Sequence, residues 1–146
     1  MILTIPDVRQ GKDYDCGWAC YDAICGMNGI TSRGPVPLAN AIQGLSPDTV
    51  EAVFRSTGWT ILSGTMTVDD LKHFADTGRP VMCPATIEQE GHWVVSAGVA
   101  RGRVHFHDPL HGMRSVRTAD WLAAWHDTSR SGAEYKQWGI VAWRGK

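Results

Sequence analysis

Between Gln10 and Met27 the chain reads QGKDYDCGWACYDAICGM, which spaces Cys16, Ala19, Cys20, Ala23, Ile24 and Met27 at helical intervals behind Asp15, a good N-cap. The pattern predicts a buried helix that opens at Cys16 and stops near Gly26 or at Asn28-Gly29, both of which are C-cap signals. A thiol at a helix N-terminus sits in the positive end of the macrodipole. That position favours the thiolate, the form that attacks a carbonyl carbon. The plainer alternative is that Cys16 is one of three small apolar cysteines in a core helix, because free cysteine is among the most buried residue types.

The remainder of the chain divides in character. TSRGPVPLANAIQGLSPDT is a loop by its prolines, glycines and small polar residues, with a short helical turn expected around Leu38 to Gln43. Ser46-Pro47-Asp48 opens a helix that runs through Val53 and Phe54 to Gly58, and a short strand is expected between Trp59 and Met66. Thr67 caps a third helix that packs Leu71, Phe74 and Ala75. From residue 81 the pattern turns to strands, at Val81 to Thr86, Trp93 to Val99, Arg103 to His107 and Gly139 to Trp143. One helix, TADWLAAWHD with Thr118 as cap, interrupts them. Helices first and a mostly antiparallel sheet afterwards make an α+β fold, with an N-terminal helical half and a C-terminal sheet. A chain of 146 residues without repeat or linker is expected to form a single domain over 1–146.

Composition excludes several function classes. A net charge of −1 argues against nucleic acid or an anionic membrane surface as main partner. No apolar run reaches the length of a membrane span, and MILTIPDVRQ lacks the basic and apolar regions of a signal peptide, so cytoplasmic synthesis is expected. Cys16, Cys20 and Cys25 crowd one helix where few pairs could meet disulfide geometry, and the four cysteines are read as reduced. The seven tryptophans must be partly core, although such an excess also suits a cleft that grips an extended peptide or a sugar.

A cysteine nucleophile needs a base, and GHWVVSAGVARGRVHFHDP supplies His92 at the start of a strand. A hairpin turning around Ala100 would set His92 directly opposite Asp108, near enough for a carboxylate to orient the imidazole. A two-residue turn at Arg101-Gly102 would instead oppose Asp108 to Val95, on the other face, and break the pair. Gln10, just upstream of the nucleophile, and the Cys16 N–H would be two donors for a developing oxyanion. Each residue has its bland reading: His92 as an exposed strand-end histidine, Asp108-Pro109 as a turn starter. His105, His107 and His111 have the spacing of a zinc site, but no second ligand cluster supports one, and His73 and His126 are expected on helix surfaces.

The set Gln10, Asp15-Cys16-Gly17, His92-Trp93-Val94-Val95 and Asp108-Pro109, with Gly112 shortly after, resembles the papain-like double-glycine leader peptidases that process bacteriocins. The resemblance runs from about residue 5 to residue 143 and implies a papain-like cysteine peptidase fold. It implies Cys16 as nucleophile, His92 as general base and acid, Asp108 as orienter and Gln10 as oxyanion donor, with no cofactor and no metal. Those peptidases are usually fused to transporter membrane helices, which this sequence lacks. Similar stand-alone modules are the peptidase domains at the N-terminus of some phage endolysins. The expected partner is therefore a peptide: a peptidoglycan stem peptide, in which case the protein would act on the cell wall, or a leader peptide. Gly17, Trp18 and Trp93, beside the nucleophile and base, are candidate cleft residues. The rival reading is a non-catalytic peptide- or glycan-binding module on the same scaffold.

Overall fold

The computed structural model describes residues 1–9, 16–30, 46–87, 90–128 and 132–144. In chain order these form α1 (Cys16–Met27), α2 (Pro47–Ser56), β1 (Thr60–Thr65), α3 (Val68–Asp76), β2 (Val81–Ile87), β3 (Glu90–Ala100), β4 (Arg103–Asp108), β5 (Gly112–Arg117), α4 (Thr118–Ala124), β6 (His126–Thr128), β7 (Glu134–Lys136) and β8 (Trp138–Trp143). The Asp15 cap and the turn expected at Leu38 to Gln43 lie outside the described residues. Two of the other helix starts are capped as their sequences predict. Ser46 Oγ accepts the Thr49 N–H ahead of Pro47, and Thr67 exchanges side-chain and backbone hydrogen bonds with Asp70 in a capping box.

Six strands form one antiparallel sheet in the order β1-β8-β2-β3-β4-β5, and β6 and β7 form a separate hairpin. Strand periodicity divides the core in two. Met82, Trp93, Val95, Ala97, Ile140 and Ala142 face one side, where they meet Cys20, Ile24, Val53 and Phe54 of α1 and α2. Their sequence neighbours Val81, Cys83, Val94 and Val141 face the other side and meet Leu71 of α3 and Trp121 of α4. Burying each such large side chain contributes roughly 1.5–3 kcal/mol, so the sheet is held by both layers.

Three elements differ from the sequence expectation. β5 and the β6–β7 hairpin are polar, short and at sheet margins, so they carry little alternation to read. His126 consequently lies on β6, not on a helix. Thr118 is the first residue of α4 and not its cap: its hydroxyl and its N–H both donate to the Gly102 carbonyl at 3.0 Å, tying the helix to the β3–β4 turn.

The register of β3 against β4 also differs, and it determines the site. The turn is the two-residue one, with Arg101 at φ 54° and Gly102 at φ 73°, a left-handed pair that matches the twist of a tight hairpin. On its own this turn would carry Asp108 to the wrong face. A bulge between Ser96 and Gly98 inserts one residue, so that Ser96 pairs with Phe106 and Val95 with His107. Continuing that register puts Val94 opposite Asp108, with His92 diagonal to it on the same face.

Candidate active site

Cys16 is the first residue of α1 and is 8% exposed. Facing it is His92 of β3, paired with Ala85 of β2 on its other side. His92 is not an exposed strand end: 12% of its side chain is accessible, and its Nε2 lies 2.7 Å from Oδ1 of Asp108, which is 1% exposed. Diagonal strand neighbours are about 7–8 Å apart, a gap that an imidazole ring spans.

Asp108 accepts from three donors. Oδ1 also accepts the Leu110 N–H at 2.8 Å, and Oδ2 accepts Nη1 of Arg114 at 3.0 Å. Burial alone would raise the Asp108 carboxyl. The His92 and Leu110 hydrogen bonds, the imidazolium charge and Arg114 outweigh it and hold the carboxyl well below its ordinary value of 3.8. Burial likewise opposes a charge on His92, but hydrogen bonds with Asp108 and Cys16, and the negative charge of both, raise the imidazolium from 6.5 to about 9. With Nε2 committed to Asp108, Nδ1 is the ring nitrogen left to exchange a proton with Cys16. Burial pushes the Cys20, Cys25 and Cys83 thiols up, which keeps them protonated.

Of the residues singled out in the sequence, the structure brings Cys16, His92 and Asp108 together. Gln10 lies outside the described residues. Gly17, Trp18 and Trp93, the candidate cleft residues, are buried. Trp18 and Trp93 are each 5% exposed in the core beneath α1, where Trp18 meets Tyr21 edge-on at 6.2 Å and Trp93 meets Trp138 at 6.4 Å. Both side chains pack in the core. His107 is fully buried, and its Nε2 donates to the Val8 carbonyl at 2.8 Å. Among the described residues no three His, Cys, Asp or Glu side chains are grouped so as to hold a metal ion. Arg114 is the contributor that sequence reading missed. Its signal was available only through β5: pairing from Gly112 sets Arg114 opposite Phe106, two residues from Asp108.

A helix that begins at a cysteine, packed on an antiparallel sheet that presents a histidine–carboxylate pair to it, defines a papain-like cysteine peptidase. The profile of the Peptidase C39 family matches residues 4–129, and the chain belongs to that family. No curated protein sequence matches it. Among solved structures it is similar to a double glycine motif protease from an AMS/PCAT transporter, determined in complex with the leader peptide, at 14% identity and TM-score 0.72, covering 97% of this chain and 92% of that one. It is similar also to the peptidase domain of Streptococcus ComA, a bi-functional ABC transporter involved in quorum sensing, at 17% identity and TM-score 0.70, covering 94% and 97%. The ComA peptidase domain of Streptococcus mutans follows at 15% identity and TM-score 0.63, covering 93% and 97%. Among the described residues no helix is long and apolar enough to cross a membrane.

Proposed function

We propose that this leader peptidase-like hydrolase is a single papain-like domain that cuts a peptide through Cys16, His92 and Asp108, with Gln10 and the Cys16 N–H as oxyanion donors. The observation that carries the reading is the His92–Asp108 hydrogen bond of 2.7 Å beside a helix-opening cysteine. Cys16 gives its proton to His92 Nδ1 and its thiolate adds to the peptide carbonyl. The tetrahedral oxyanion collapses as His92 returns that proton to the leaving amine, leaving a thioester on Cys16. Water, deprotonated by His92, then releases the acid and restores the thiol. Asp108 keeps Nε2 protonated and oriented throughout. The substrate we favour is a leader peptide ending in small residues, because the similar AMS/PCAT protease was captured with its leader peptide.

The deciding experiment is alkylation of Cys16 by iodoacetamide across pH, located by mass mapping, in the native chain and in His92→Ala. Reaction below the free-thiol value of about 8.5 that disappears in His92→Ala supports the pair. A slow Cys16 indifferent to His92→Ala refutes it and leaves a groove that binds without cutting. Hydrolysis is then compared on a double-glycine leader peptide and on peptidoglycan stem peptides. Cleavage of the stem peptides alone would move the assignment to a wall-lysing module of the endolysin kind.

A further inference from the structure

Asp108 receives more than the orientation of a histidine requires. Its Oδ1 is already occupied by His92 and the Leu110 N–H, and a full cation is bonded to Oδ2. That cation is braced: the Arg114 guanidinium carbon lies 5.9 Å from the centroid of the Phe106 ring, and the side chain is 33% exposed. Because Arg114 and Phe106 are cross-strand partners between β5 and β4, the backbone ladder fixes the direction from which the guanidinium approaches.

We propose that Arg114 is a positioning residue of this site, one that locks the Asp108 carboxylate in the plane His92 needs and draws part of its negative charge away from the imidazolium. The inference rests on the catalytic reading given above. A general acid must release its proton to the leaving amine, and an imidazolium held by an undivided buried carboxylate releases it slowly. A second cation on the far oxygen divides that charge. The titratable and charged groups around the pair are Cys16 and Cys20 of α1, the second of which feels the Asp108 charge, and Arg9 of the N-terminal segment, which feels it too. Asp127 of β6 lies against Gly91, the residue before His92 in β3. Among these described groups Arg114 is the permanent cation hydrogen-bonded to Asp108.

The test is the titration of His92 followed by NMR on histidine-labelled protein, in the native chain, Arg114→Met and Arg114→Lys. Methionine keeps the contact with Phe106 and removes the charge, whereas lysine restores the charge without the planar fork. The His92 midpoint is expected to rise by roughly 1 pH unit in Arg114→Met, the size of effect a nearby charge exerts, and to lie closer to native in Arg114→Lys. With a Brønsted sensitivity near one half, that rise slows proton donation by roughly threefold, seen in kcat and not in KM on a double-glycine leader peptide. A midpoint that stays or falls in Arg114→Met overturns the proposal, even if activity drops. If the native chain cuts no peptide, the catalytic reading fails instead, and the titration still decides whether Arg114 shares the Asp108 charge.

Discussion

Replacing Asp108 by asparagine preserves the shape of the side chain and removes its charge, and the surrounding hydrogen bonds allow the cost to be worked out. Two donors converge on Oδ1, from His92 and Leu110, and one on Oδ2, from Arg114. An amide has one acceptor oxygen. If that oxygen serves His92 and Leu110, the NH2 group faces the guanidinium, donor against donor; if it serves Arg114, the NH2 group faces the imidazole. Either way a cation beside a group that is 1% exposed loses its counter-charge. Breaking a buried ion pair by removing one partner costs about 3–5 kcal/mol, a large share of the roughly 5–15 kcal/mol that holds a domain together. The His92 midpoint should fall well below about 9, because the Asp108 hydrogen bond and charge are lost and only those of Cys16 remain to oppose burial.

The pH dependence of this cost has a definite sign. Asp108 is depressed in the folded protein, so its contribution is present above 3.8 and is lost as pH falls towards its folded value. His92 is raised, so its contribution is full below 6.5 and is lost as pH rises through about 9. The stability gap between native protein and Asp108→Asn should therefore be widest between those two ordinary values and shrink on both sides. Urea unfolding at pH 3, 5.5 and 9.5 measures it. Adding Arg114→Met to Asp108→Asn removes the orphaned cation, and should recover roughly 1–3 kcal/mol of stability without recovering hydrolysis. If Asp108→Asn is as stable as the native chain at pH 5.5, with an unmoved His92 midpoint, the buried ion pair described here is refuted.

Three further outcomes follow from the packing. Gly98→Ala should destabilise by roughly 2–4 kcal/mol in urea unfolding, because φ is +133° and the added Cβ would meet the Met1 carbonyl and lie 3.0 Å from the Ala75 Cβ; an unchanged midpoint would show that the bulge is not held as described. Trp93→Ala should lose about 3–5 kcal/mol of stability as a large-to-small core change, whereas a raised KM at undiminished stability would return Trp93 to the substrate cleft. In the native protein at pH 7, Cys20, Cys25 and Cys83 should resist iodoacetamide and become reactive only on unfolding, since all are buried.

The helices were legible because each carries its own signals: periodicity in α1, Ser46-Pro47 before α2, and the Thr67–Asp70 box on α3. The pairing of His92 with Asp108 was legible too, but the route to it was not. It rests on two local events that no alternation of residue types announces, a tight turn at Arg101-Gly102 that by itself would set Asp108 opposite Val95 on the other face, and a bulge at Ala97 that moves the pairing one residue on and so returns Asp108 to the face of His92. Gly98 could have marked the bulge, as a glycine inside a strand often does. Arg114 was invisible for a different reason. GMRSVR lies at the sheet margin with a half-solvated burial pattern, and without β5 nothing in the sequence connects an arginine to the carboxylate six positions before it.

The bulge also explains why the N-terminal segment runs where it does. An inserted residue leaves a backbone carbonyl outside the ladder, and at Ala97 that carbonyl accepts the Leu3 N–H at 2.9 Å. Farther along β4, His107 is turned to the α1 side of the sheet by the same register and donates to the Val8 carbonyl. Arg9 then lies over Gly112, at φ +86°, where an added Cβ would make its exposed guanidinium shift. One register shift therefore does two things at once. It returns Asp108 to the face of His92, and it ties at two points, Leu3 and Val8, the segment that precedes Gln10 in sequence. A deletion of Ala97 would consequently be expected to disturb both ends of the proposed machinery together, the histidine–carboxylate pair and the approach to the oxyanion donor, whereas Asp108→Asn disturbs only the first.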